Sequence, residues 1–200
     1  MKNTEKKIAE KIEKAKTKTI FFTDDFRSYG TPEAVKIALH RLVRRNILSR
    51  MGRGIYVKPD YSKLLDKEVL PAIEKVALSI AKRDQAKIIP TGSYALYALG
   101  LSTQVPMKIV YLTNGSPRII KIGEAYIQFK RTSTKNLSLK GKISTLAIQA
   151  LKEIGKDQLR EDEEKKIIDI LKNEDYKKLK YDISIAPQWI AEIMAKSLST

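Results

Sequence analysis

Thr91-Gly92-Ser93 and Gly141-Lys142 are two places in this 200-residue chain that invite comparison with phosphate-handling motifs. The first has the glycine-serine pairing of nucleotidyl transfer. That chemistry needs a pair of acids a short way down the chain, because metal ions must be held at the triphosphate. No Asp or Glu lies between Gln85 and Gly123, so the pair is missing. The second is not a P-loop. Asn136 stands where its first glycine belongs, and Ile143 follows Lys142 in place of Ser or Thr. The chain has no cysteine and a single histidine, His40. Disulfides, thiolate catalysis and cysteine zinc sites are excluded, together with nearly every histidine-based alternative. These residues read as a protein that is not an enzyme and holds no metal or cofactor.

What remains is charge. There are 39 basic and 23 acidic residues, a net charge of +16, in a chain that is 42% apolar. Such a balance belongs to a folded, soluble chain that favours polyanionic partners, nucleic acid before anionic membrane. No apolar run approaches the ~20 residues of a membrane span, and the basic, helical amino end lacks a signal-peptide core. A cytoplasmic protein without a membrane partner is expected.

The basic residues concentrate in Thr31–Pro59. Thr31 suits an N-cap and Pro32 a first helical position. Val35, Ala38, Leu39, Leu42 and Val43 recur at three- and four-residue spacing and make one apolar stripe. The opposite face carries Glu33, Ile37, His40, Arg41 and Arg44, flanked by Lys36 and Arg45, and Asn46 ends the helix. Two strand-like runs follow, Ile47–Met51 and Ile55–Lys58, joined by Gly52-Arg53-Gly54. Upstream, 3–16 read as an amphipathic helix with Ile8, Ile12 and Ala15 inward. Ile20-Phe21-Phe22 reads as a small strand or core plug, and Thr23–Phe26 as a capped helix start. A basic helix followed by a hairpin with an arginine at its tip is the outline of a winged helix-turn-helix, which docks a helix in the major groove with the wing beside the phosphates.

The expected DNA-binding set is therefore Thr31, Lys36, His40, Arg41, Arg44 and Arg45 from the helix, with Arg50, Arg53 and Lys58 from the wing. Pro59–Ser62 reads as a hinge. Residues 1–62 hold 15 basic and 7 acidic residues against 24 and 16 in 63–200, so each part is +8 and the shorter one is charge-dense. The domain reading is a winged helix-turn-helix over 1–60 and an α+β domain over 64–200.

In the second part, Leu64–Asp84 is helical in pattern, with Pro71 a kink or a second start. Lys87–Ile89 reads as a strand and Tyr94–Leu99 as a short helix closed by Gly100. Met107–Leu112, Arg118–Ile122 and Ala125–Arg131 read as a three-stranded antiparallel meander, turned at Asn114-Gly115 and Gly123-Glu124. Helices are expected over Gly141–Ile154, Glu161–Leu171, Tyr176–Lys180 and Pro187–Leu198. The fold class is thus α+β, with a small antiparallel sheet and C-terminal helices. Lys130, Arg131, Lys135, Lys140 and Lys142 make a second basic patch, either a solubilising surface or a further contact for nucleic acid. The Arg160–Lys166 run reads as a salt-bridged solvent face, and Trp189 as core.

Several segments resemble the AbiEi-type antitoxins of type IV abortive-infection toxin–antitoxin systems. They are the wing Leu48–Val57, Pro90–Leu96, Leu99–Pro106, Tyr111–Ser116 and Phe129-Lys130-Arg131. His40 departs from the smaller polar residue expected at its place, which bears on base preference. The resemblance implies a transcriptional autorepressor bound through its winged domain to inverted repeats in double-stranded DNA at its own promoter, as a monomer or a DNA-induced dimer. It also implies a second domain that counteracts a nucleotidyltransferase toxin without a stable complex. A winged-helix interaction protein, or a general regulator with no toxin partner, is the alternative.

Overall fold

The computed structural model describes residues 2–62, 64 and 66–198. The chain is α+β and divides into two compact units. The first is Met1–Ile80 with Ile120–Glu124, and the second is Ala81–Ile119 with Ala125–Thr200. Pro59–Ser62 lies inside the first unit. Among the described residues, no helix is long and apolar enough to cross a membrane.

The first unit begins with α1 (Lys2–Lys14), which buries Ile8 and Ile12. Next come β1 (Ile20–Phe22) and a 3-10 turn over Thr23–Tyr29 that buries Phe26. Its start is held by Asp25, not Thr23: the Asp25 carboxylate accepts from the Phe22 N–H at 2.8 Å. α2 (Pro32–Arg44) starts as expected, with Thr31 Oγ1 accepting from the Ala34 N–H at 3.3 Å and Pro32 in the first turn. Asn46, just beyond the helix, takes a left-handed φ of 56°, a conformation Asn tolerates better than most residues. β2 (Ser49–Gly52) and β3 (Ile55–Val57) form the hairpin, and β1 completes a three-stranded antiparallel sheet in the order β1-β3-β2. The core joins Ile8, Ile12, Phe21, Phe26, Val35, Leu39, Leu42, Leu48 and Tyr56. Each large apolar group fully buried there contributes about 1.5–3 kcal/mol.

The chain then departs from the helical reading of Leu64–Asp84. β4 (Asp60–Ser62) and β5 (Lys67–Val69) pair antiparallel, and α3 (Ile73–Arg83) starts two residues after Pro71. Lys63 and Leu65 lie outside the described residues.

Next in the chain come β6 (Ile88–Thr91), α4 (Ser93–Ala98), β7 (Lys108–Thr113), β8 (Arg118–Ile122) and β9 (Ala125–Arg131). The strand order is β6-β7-β9-β8, with β6 antiparallel to β7 and β7 parallel to β9. The expected meander is therefore not formed, because β9 inserts where β8 was placed. Asn114-Gly115 does not close a hairpin. Asn114 Oδ1 accepts from the Lys87 N–H at 2.8 Å, and Thr113 Oγ1 accepts from the Gly115 N–H at 3.0 Å. These side chains bend the chain back onto the start of β6.

The helices α5 (Lys142–Ile154), α6 (Glu161–Leu171), α7 (Tyr176–Ile185) and α8 (Gln188–Ala195) follow. They close a core around Ile148, Leu151, Ile167, Leu171, Ile190 and Met194, with Trp189 packed at its edge.

Candidate nucleic-acid interface

With Val35, Ala38, Leu39 and Leu42 turned inward, the helical repeat leaves Lys36, Ile37, His40, Arg41 and Arg44 on the outer face of α2. A groove of about 710 Å³ runs along this face, lined by Glu33, Lys36, Ile37, His40, Arg41, Val43, Arg44, Arg50 and Tyr56. Helix and hairpin thus share one concavity.

The hairpin adds its own geometry. Gly54, with φ of 70°, takes the left-handed turn that glycine adopts without steric cost. The register shifts between Arg50 and Gly52, a bulge that bends the hairpin at its tip. Gly52 cannot be larger, because a Cβ there would sit 2.8 Å from the Lys121 carbonyl oxygen. The Gly123 N–H donates to the Met51 carbonyl at 3.1 Å, so Lys121–Gly123 clamp the hairpin close to its tip within the first unit. Nothing in the spacing of residues 120–124 announced that neighbour.

The nine candidate residues separate into two sets. Lys36, His40, Arg44 and Arg53 are exposed and make no side-chain hydrogen bond or ion pair among the described residues. Arg50 is exposed too, and its Nε donates to the Gly52 carbonyl at 3.3 Å. The others are engaged. Thr31 caps α2. Arg41 and Arg45 lie 3.3 and 2.8 Å from the Glu5 carboxylate on α1. Lys58 is turned away from the groove, its ammonium donating to the Glu13 and Ala15 carbonyls at 2.8 Å each and closing the end of α1.

The members of the second patch have different surroundings. Lys140 stacks over the Tyr181 ring at 3.8 Å. Lys135 lines a separate recess with Lys152, a cation the sequence reading passed over. Lys130, Arg131 and Lys142 are exposed.

The two glycine motifs are occupied by acids from distant segments. The Asp182 carboxylate, fully buried, accepts from the Lys140 and Gly141 N–H groups at 2.8 Å and from Ser144 Oγ at 2.5 Å. Glu174 Oε2 accepts from the Ile143 and Ser144 N–H groups at 2.6 and 3.1 Å. The amino end of α5, where a P-loop would hold phosphate, is thus filled by carboxylates. Glu153, another acid the sequence reading missed, lies 3.4 Å from where a Cβ on Gly92 would be. Among the described residues, no group of three or more His, Asp or Glu side chains could hold a metal ion.

A family model, DUF6088, described as a family of unknown function, matches residues 7–179. The chain belongs to DUF6088. No curated protein matches it. The DUF6088 match takes in the whole of α2 and the hairpin and continues as far as Leu179 in α7, leaving Glu5 outside.

Proposed function

We propose that the first unit is a winged helix-turn-helix reader of double-stranded DNA, with α2 as the groove helix and the β2–β3 hairpin as the wing. The observation that carries this reading is the α2 groove, where Lys36, His40 and Arg44 share one concavity with Arg50 and, among the described residues, no acid pairs with them. Arg53 extends the same positive surface at the hairpin tip. Thirteen helical residues span about 20 Å, long enough to lie in a major groove about 12 Å wide. On this reading the chain is a DNA-binding antitoxin and transcriptional autorepressor of the AbiEi type. It is a cytoplasmic non-enzyme that binds inverted repeats in its own promoter and counteracts a nucleotidyltransferase toxin without a stable complex. The toxin half rests on the sequence resemblance, and the DNA half rests also on the groove.

The test is binding to the chain's own upstream DNA against scrambled DNA, at low and physiological salt. Preferential binding that persists at physiological salt is expected. Equal binding to both, vanishing with salt, would reduce the surface to nonspecific polyanion affinity.

One observation favours the second reading, a winged-helix interaction protein. Ile37, 39% exposed, puts apolar surface in the groove. A protein partner would use that surface as an anchor.

A further inference from the structure

A pocket of about 310 Å³ opens in the second unit between the 3-10 turn after β9, the C-terminal half of α5 and the corner joining α7 to α8. Its lining combines two cations, Lys135 and Lys152, with the Asn136 amide and the apolar side chains of Leu139, Ile148 and Pro187. Among the described residues, no carboxylate lines it. Lys152 Nζ has Asn136 Oδ1 at 3.5 Å, the outer edge of hydrogen bonding. Lys135 has no side-chain hydrogen bond or ion pair among the described residues.

Partial burial first, and the charge of Lys135 second, hold the Lys152 ammonium below the usual lysine value. Arg83 and Arg118, by contrast, both meet Asp84. Here, among the described residues, two lysines share one pocket with no acid in its lining. Both lysines line the pocket while their side chains remain exposed to solvent. Asn136 is oriented by its Nδ2, which donates to Thr132 Oγ1 at 2.8 Å, and α5 is anchored at its amino end by Asp182 and Glu174.

We propose that this pocket binds a phosphate ester, its anionic group taken between Lys135 and Lys152 and its organic body laid on Leu139, Ile185 and Pro187. Two point charges with no planar guanidinium suit a compact polyvalent anion better than a carboxylate fork. The volume is at the lower end of small-ligand sites, about 300 Å³, and the apolar wall gives the body of an ester somewhere to go. The ester is either a free small molecule or the phosphodiester of a nucleic-acid strand. The site shares no residue with the α2 groove, so it stands whether or not the first unit reads DNA.

The experiment uses the full chain, titrated with inorganic phosphate, adenosine monophosphate and a single-stranded oligonucleotide lacking a terminal phosphate, read by calorimetry and by the lysine Nζ signals in NMR. Saturable binding of the mononucleotide is expected. It should weaken at least tenfold in Lys135→Gln and in Lys152→Gln, return in Lys152→Arg, and be unchanged in Lys142→Gln. The Lys152 ammonium should titrate higher once the ligand is bound. The same variant pattern with the oligonucleotide alone would identify the anion as a strand phosphodiester and also support the site. Absence of binding by both ligands, or binding indifferent to Lys135 and Lys152 in variants that melt like the parent, would overturn the proposal.

Discussion

Glu5 on α1 reaches Arg45 at the end of α2 with 2.8 Å between carboxylate and guanidinium, and the same carboxylate lies 3.3 Å from Arg41. One acid thus neutralises part of the surface that α2 offers to a polyanion. Its side chain is only 13% exposed while the arginines are about half exposed or more, so the acid is fixed and the cations are the parts able to leave. A phosphate would have to compete with Glu5 for both.

Removing that competitor should strengthen DNA binding. Glu5→Gln is expected to raise affinity several-fold and to steepen the salt dependence by about one or two released counterions, measured by fluorescence anisotropy over a salt series. The folding cost should stay near 1 kcal/mol, as for other partly exposed ion pairs. An unchanged salt slope would mean that Arg41 and Arg45 do not meet DNA.

Charge reversal should divide the free cations from the engaged ones. Arg44→Glu and Arg53→Glu are each expected to weaken promoter binding tenfold or more and to lower the salt slope by about one, without shifting the melting temperature. Lys58→Gln should do the opposite. It removes the clasp on the Glu13 and Ala15 carbonyls, so thermal stability falls by about 1 kcal/mol while affinity at equal folded fraction holds. If Arg44 and Arg53 prove indifferent, the groove is not the reading surface.

The carboxylate cage at α5 should be among the most sensitive places in the second unit. Asp182→Ala strands the Lys140 and Gly141 N–H groups and the Ser144 hydroxyl in a buried site, each at about 1–3 kcal/mol. A total loss of about 3–5 kcal/mol in urea unfolding is expected. Gly141→Ala should cost about 1–3 kcal/mol by overpacking, since a Cβ would lie 2.5 Å from Glu174 Oε2. Neither change should alter DNA binding by a first unit that remains folded.

Acid should act partly through Asp84. Burial opposes its ionisation, but hydrogen bonds from Arg83 and Arg118, reinforced by their charge, outweigh this and hold the carboxyl below its ordinary value. A folded value below the unfolded one, about 3.9, gives stability that is fully present above about pH 4 and lost as pH falls through the folded value. Asp84→Asn should therefore be less stable than the parent at pH 6, the two converging toward pH 2. A constant gap between their urea midpoints from pH 6 to pH 2 would remove Asp84 from the acid response.

What the sequence by itself determined is what local pattern controls. The two faces of α2 follow from apolar spacing, its start from Thr31-Pro32, and the hairpin turn from Gly52-Arg53-Gly54, because each depends on residues within a turn or two. The α+β class and the limits of α6 follow in the same way. Tertiary structure decided whatever depends on partners far apart in the chain. β9 lies between β7 and β8 because pairing is chosen among strands with similar patterns, and Asn114-Gly115 finds hydrogen bonds at Lys87 and Thr113 that replace a hairpin. The fold also sorted the basic residues, giving Arg41 and Arg45 to Glu5, Lys58 to the end of α1 and Lys140 to Tyr181. Lys135 and Lys152 were left without an acid. Charge can be counted along a chain, but which charges are free depends on what folding brings within about 4 Å of each.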